Sequence, residues 1–147
     1  MNIQLDFVEL LKLLEKHKVD YMIVGGYAVA FHGHPRFTKD IDLFFRINTQ
    51  NIEKLRQALI EFGFSDNDVP VDAFTTVGNV LTFGVPPVRV DLLNSIDGIE
   101  YDSVKSNVVR GVYGGVEVTF IGFEDLIKNK ESTSRIKDKG DVEELIG

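Results

Sequence analysis

Two aspartates separated by one isoleucine, Asp40 and Asp42, stand in the stretch KDIDLFFRI. If this stretch is a strand, side chains alternate, so both carboxylates share a face with their Cα atoms roughly 6.6–6.8 Å apart. Like charges that close repel and raise each other's pKa. A divalent cation relieves the repulsion, and hard oxygen ligands on a rigid strand suit Mg²⁺. Two such ions about 3.5–4 Å apart can clamp the attacking and leaving oxygens of a phosphoryl displacement. Chemistry of this kind wants a third carboxylate from a neighbouring strand. Asp91 offers one: in VRVDLL, Val88, Val90 and Leu92 face one way, Arg89 and Asp91 the other. Asp72, Asp97 and Asp102 stand in sequences that read as loops. An isolated D-apolar-D could equally be the polar face of an edge strand. Its company, Asp91 and an upstream glycine pair, favours a site.

That pair is Gly25-Gly26, directly after the apolar run Tyr21–Val24. Without a Cβ, backbone N–H groups there can approach phosphate oxygens closely. A tight strand-to-helix turn would ask for the same glycines. Neither a G-K-[ST] loop nor a G-x-G-x-x-G fingerprint is present. Arg36, just ahead of the acidic stretch, either neutralises phosphate charge or pairs with a nearby aspartate. Three histidines without any cysteine do not suggest a zinc set. His32 is expected to close a short helix or touch a nucleotide.

The elements that must position these groups follow from periodicity. Phe7, Leu10, Leu11 and Leu14 mark an amphipathic helix ending near Lys18. Tyr21–Val24 reads as a buried strand and Tyr27–Phe31 as a short helix closed by Gly33 and Pro35. From Asp40 the period is two, with Ile41, Leu43, Phe45 and Ile47 on one face and Asp40, Asp42, Phe44 and Arg46 on the other. Register matters here, because a slip of one residue would bury both acids. Asn48 or Thr49 caps a helix carrying Ile52, Leu55, Leu59 and Phe62 inward and stopping at Gly63. Val80–Val85 and Val88–Leu93 read as strands turned at Pro86-Pro87. Val108–Val112 and Val116–Phe120 read as a hairpin around Gly114-Gly115. Helices follow at about Glu124–Glu131 and Ile136–Ile146. On the last, Arg135–Asp138 and Lys137–Asp141 read as pairs on a solvated face. The sum is an α/β (α+β) fold, a mixed sheet flanked by helices, organised as one domain over 1–147 with a helical C-terminal segment from about 122.

At 147 residues, with 44% hydrophobic and 27% charged residues, the chain can bury one core. No apolar run approaches the roughly 20 residues of a membrane span. Asp6, Glu9, Lys12 and Glu15 break any leader pattern, so no membrane partner and cytoplasmic residence are expected. The net charge of −7 argues against coating nucleic acid electrostatically, although not against a local basic groove.

The order apolar-G-G, then D-apolar-D-apolar resembles the signature of the polymerase-β-like nucleotidyltransferase superfamily. The intervening H-G-x-x-R-x-T-x-D-I-D, carried by His32, Gly33, Arg36, Thr38, Asp40 and Asp42, is similar to its AbiEii-type branch, known from toxin–antitoxin systems. The tail EDLIKNKESTSRIKDKGDVEEL resembles the same branch's later motif, a helical lysine (Lys130) followed by R-x-K-D-x-x-D. The resemblance implies a minimal nucleotidyltransferase-like domain. In it Gly25, Gly26, Arg36 and Thr38 bind nucleotide, and Asp40, Asp42 and Asp91 bind Mg²⁺ or Mn²⁺, two ions being expected with a bound NTP. Lys130 would act near the leaving phosphate. Implied partners are an NTP and an acceptor of open identity (tRNA, protein or small molecule), held without a separate acceptor domain. The activity implied is transfer of an NMP group to an acceptor hydroxyl with pyrophosphate release. The alternative is a non-catalytic nucleotide- or partner-binding component of a toxin–antitoxin pair, with a cognate partner protein.

Overall fold

The computed structural model of the chain describes residues 3–34, 38, 40–85, 87–133 and 136–146, with the side chains of 136 and 137 outside the description. Pro35, Arg36, Pro86 and Arg135, each part of an expectation above, therefore lie outside the described residues, as does the side chain of Lys137.

Helix α1 (Leu5–Lys16) buries Phe7, Val8, Leu10, Leu11 and Leu14, the stripe that its period dictates. Lys18 then takes a left-handed φ of 56° and turns the chain into β1 (Tyr21–Val24), buried throughout. Helix α2 runs over Gly25–Phe31, so the glycine pair forms its first turn and does not precede it. Strand β2 (Asp40–Phe45) follows, and then α3 (Thr49–Phe62). The Asn48 side chain caps α3 by accepting from the Asn51 N–H at 2.7 Å. The remaining elements are α4 (Val71–Thr75), β3 (Val80–Phe83), β4 (Arg89–Leu93), α5 (Tyr101–Val104), β5 (Val109–Tyr113), β6 (Val116–Phe120), α6 (Phe123–Glu131) and α7 (Ile136–Ile146). Single 3₁₀ turns sit at Asp66–Asp68 and Lys105–Asn107.

Six strands form one mixed sheet in the order β3-β4-β2-β1-β6-β5. The pairs β1–β6 and β2–β4 are parallel, the others antiparallel. A parallel pair cannot be joined by a tight turn, so α3, α4 and β3 all lie in the crossover from β2 to β4. The β5–β6 hairpin closes on Gly114 and Gly115, both with positive φ (57° and 83°), as the tight twist-matched turn requires.

Two expectations need correction, and one residue on its expected face has an unexpected cover. Asp72 and Asp102 stand in the first turns of the short helices α4 and α5, not in loops. Ile47, expected on the core face, falls beyond the end of β2 and is exposed. Phe44 shares the acidic face of β2 yet is buried, its ring edge-on to Tyr101 at 5.2 Å, because α5 covers that part of the sheet. Sheet and helices bury a single apolar cluster. A polar bracket borders it. The buried Asn51 side chain accepts from the Asp20 N–H (2.6 Å) and donates to the carbonyls of Asp20 (3.0 Å) and Arg46 (2.7 Å), tying the start of β1 to the end of β2.

Candidate active site

The acidic pair is assembled by register. In the parallel β2–β4 ladder Asp42 lies opposite Asp91, so both carboxylates leave the sheet on the same face. In the antiparallel β1–β2 ladder Asp42 also lies opposite Val24, the last residue before the glycine pair. Gly25 consequently backs directly onto the acid: a Cβ on Gly25 would stand 2.2 Å from Asp42 Oδ2. Its φ of 67° is left-handed as well, so space and backbone conformation both demand glycine here.

Asp91 is 9% exposed and held on two sides. The Thr82 hydroxyl, opposite it across β3–β4, donates to Asp91 Oδ1 at 2.7 Å, and Arg89 Nε donates to the same oxygen at 3.3 Å. Among the described residues no arginine bonds Asp42 in this way. Burial, the charge of Asp91, a carboxyl–carboxyl hydrogen bond to Asp91 and the charge of Asp40 push its pKa up to about 7, against a smaller opposing pull from Lys130. Near neutral pH Asp42 is therefore poised between its protonated and ionised forms, and a cation would favour the ionised one.

Across the cleft, α6 presents Lys130, only 6% exposed. Its Nζ donates to Asp138 Oδ1 at 2.8 Å and lies 3.2 Å from Asp141 Oδ2. Asp138 and Asp141, expected on a solvated face, are 2% and 3% exposed because α7 folds back onto α6. Thr133 donates to the second oxygen of Asp138 at 2.7 Å.

These groups line a polar cleft of about 420 Å³. Gly25, Gly26, Asp42, Asp91 and Lys130, all singled out from the sequence, meet in its wall, joined by Asp97, Asn129, Thr133 and Asp138. Asp97 comes from the β4–α5 connection, whose carbonyl accepts from Asn129 Nδ2 at 2.9 Å. Asp40 and Thr38 do not line the cleft. Asp40 stands one pleat along β2, opposite Arg89 in the register, half-buried; Thr38 is half-buried just upstream. Among the described residues no three His, Asp or Glu side chains converge closely enough to hold a metal ion by themselves. Arg36 is outside the description. His32 closes α2 and has its Nε2 2.8 Å from the Ile121 carbonyl oxygen, and it belongs to the packing around Phe31 and Phe123. No described helix is long and apolar enough to cross a membrane.

Sequence reasoning missed Thr82, Thr133 and Asn129. Only the partnership of Thr82 with Asp91 had a signal, the alternation of β3, and it required knowing which strands pair.

A mixed sheet carrying an acidic pair beside a glycine-opened helix defines a nucleotidyltransferase-like fold, and the comparisons agree. Over residues 4–146 the chain belongs to the family described as nucleotidyl transferase of unknown function (DUF2204). Among solved structures it is similar to a provisionally assigned nucleotidyltransferase from Thermotoga maritima, at 13% identity and a TM-score of 0.64 over 99% of this chain and 95% of that one. It is similar to a lincomycin-bound lincosamide antibiotic adenylyltransferase, at 17% identity and a TM-score of 0.58 over 100% and 99%. A third, ANT(2″)-Ia in complex with adenylyl-2″-tobramycin, matches at 15% identity and a TM-score of 0.56 over 95% and 84%. At these identities the structural likeness speaks for the fold. Among curated proteins none matches the sequence.

Proposed function

We propose that this nucleotidyl transferase moves an NMP group from an NTP to an acceptor hydroxyl in a reaction dependent on Mg²⁺ or Mn²⁺, with Asp42 and Asp91 as its centre. One observation carries the reading: the two carboxylates are register partners on one sheet face, at the wall of a cleft that also holds Gly25, Gly26 and Lys130. The donor set fits a hard divalent cation, since two apposed carboxylates offer hard oxygen ligands whose mutual repulsion a metal would relieve. Asp42 and Asp91 would be the principal ligands, with Asp40 reaching in from the next pleat. The ions, two with a bound NTP, would supply charge neutralisation at the phosphates.

This chain's own groups do the rest. The N–H groups at Gly25 and Gly26 face triphosphate oxygens, with Arg36 and Thr38 assigned to the same nucleotide. Asp91 accepts the proton of the acceptor hydroxyl. That oxygen attacks the α-phosphorus, the bond to the bridging oxygen breaks, and pyrophosphate leaves with the bond's electrons. Lys130 stabilises the charge that develops there. Titration calorimetry with MgATP, MgCTP, MgGTP and MgUTP tests the binding half. Heat for at least one nucleotide, lost in Asp42→Ala, is expected; equal heats for both proteins would overturn it.

A second reading keeps the fold and the nucleotide without turnover: a binding component of a toxin–antitoxin pair of the AbiEii type. Asp40's position outside the cleft lining favours it, as no third carboxylate among the described residues then converges with Asp42 and Asp91. Nucleotide binding with no pyrophosphate release under any acceptor condition would select this reading.

A further inference from the structure

Lys130 poses a difficulty for the acidic pair. It lines the same cleft as Asp42 and Asp91, and its charge already acts on Asp42. Lysine is a point charge on a flexible four-carbon stem, and a buried ammonium needs a carboxylate partner. Left to itself it would settle on the nearest available acids and occupy the place of a cation. The fold provides another pair of acids. Asp138 and Asp141 are one helical turn apart on α7, both nearly fully buried, at 2.8 and 3.2 Å from Lys130 Nζ. Thr133 bonds the outer oxygen of Asp138 and thereby aims the inner one at the lysine.

We propose that Asp138 and Asp141 are positioning residues that hold the Lys130 ammonium in the α6–α7 seam and keep it off Asp42 and Asp91, leaving that pair open to a divalent cation. The inference rests on the metal reading of Asp42 and Asp91. It extends that reading to a role for the C-terminal helix, whose Asp138 and Asp141 act on the cation site through Lys130.

The test uses Mn²⁺ alone, with thermal stabilisation of the full chain as the readout. Wild type is expected to gain stability with Mn²⁺, and Asp42→Asn to lose that gain. Asp138→Asn, which keeps shape but removes the nearer of the two charges that hold the lysine, should need roughly tenfold more Mn²⁺ for the same gain. The double variant Lys130→Met with Asp138→Asn removes the competitor and should return to the wild-type Mn²⁺ midpoint, a rescue that a merely structural role would not give. Should Asp138→Asn fail to fold, Thr133→Ala is expected to shift the midpoint the same way by a smaller factor. An unchanged midpoint in the folded single variant, or no recovery in the double, overturns the proposal while leaving the metal reading intact. No Mn²⁺ response in wild type overturns both.

Discussion

Asp42 and Asp91 are direct neighbours across the parallel β2–β4 ladder, and they are held unequally. Asp91 is anchored by Thr82 and Arg89, whereas Asp42 is pressed between Gly25 and Asp91 with its pKa pushed up to about 7. This asymmetry makes the pair sensitive to charge, to space and to pH, each of which can be measured separately.

Charge is tested by Asp91→Asn. The amide keeps an oxygen for Thr82 and Arg89 and removes one of two apposed charges. Melting of the metal-free protein is expected to hold or rise, while the Mg²⁺-dependent gain shrinks and transfer is abolished. A lower metal-free melting temperature with an intact Mg²⁺ response would make Asp91 a structural residue only.

Space is tested by Gly25→Ala. The new Cβ would clash with Asp42 Oδ2, and alanine would sit at a φ of 67°. The expected cost is on the order of 1–3 kcal/mol in chemical denaturation. Nucleotide binding should fall further than stability alone explains, because Asp42 must move. Binding equal to wild type per folded molecule would contradict this.

The pH response follows from sign. Asp42 binds its proton more tightly in the folded chain than in the unfolded one, so its contribution to stability is full below the ordinary carboxylate range and is lost as pH rises through about 7. Melting of the metal-free protein should therefore decline between about pH 5 and pH 8 more steeply in wild type than in Asp42→Asn. Added Mg²⁺, which needs the deprotonated form, should stabilise more as pH rises. Parallel pH profiles for the two proteins would refute the assignment.

The two ends of the molecule were unequally legible in the sequence. Strand β2 announced itself through strict alternation, α1 and α3 through apolar spacing and capping, and the hairpin through Gly114-Gly115. Such signals are local. That Asp42 faces Asp91 depends on a parallel pairing reached through a long crossover, and only the shared alternation of the two strands hinted at it. Helices α4 and α5 are five and four residues long, too short for a 3.6-residue period to show. Asp138 and Asp141 look like ordinary solvated helix acids until α7 docks on α6 and supplies Lys130 as their partner. The start of α2 was displaced because glycine weakens a helix by propensity, yet here it is required by contact with Asp42.

A control away from the cleft is Asn51→Ala. It strips partners from part-buried backbone groups of Asp20 and Arg46, so a loss of about 1–3 kcal/mol is expected in denaturant unfolding. Mn²⁺ and nucleotide affinities of the folded variant should match wild type. Selective loss of affinity would mean that the bracket couples to the site.

The central claim is metal-dependent NMP transfer through Asp42 and Asp91, and labelling tests it most directly. The protein is incubated with each of four α-labelled NTPs, Mg²⁺ and a cell lysate as the acceptor source. One nucleotide is expected to give a discrete labelled species that is absent with chelator, with Asp42→Ala and with Asp91→Asn. Labelling of equal intensity with Asp42→Ala, or no labelled species from any nucleotide, would contradict the account.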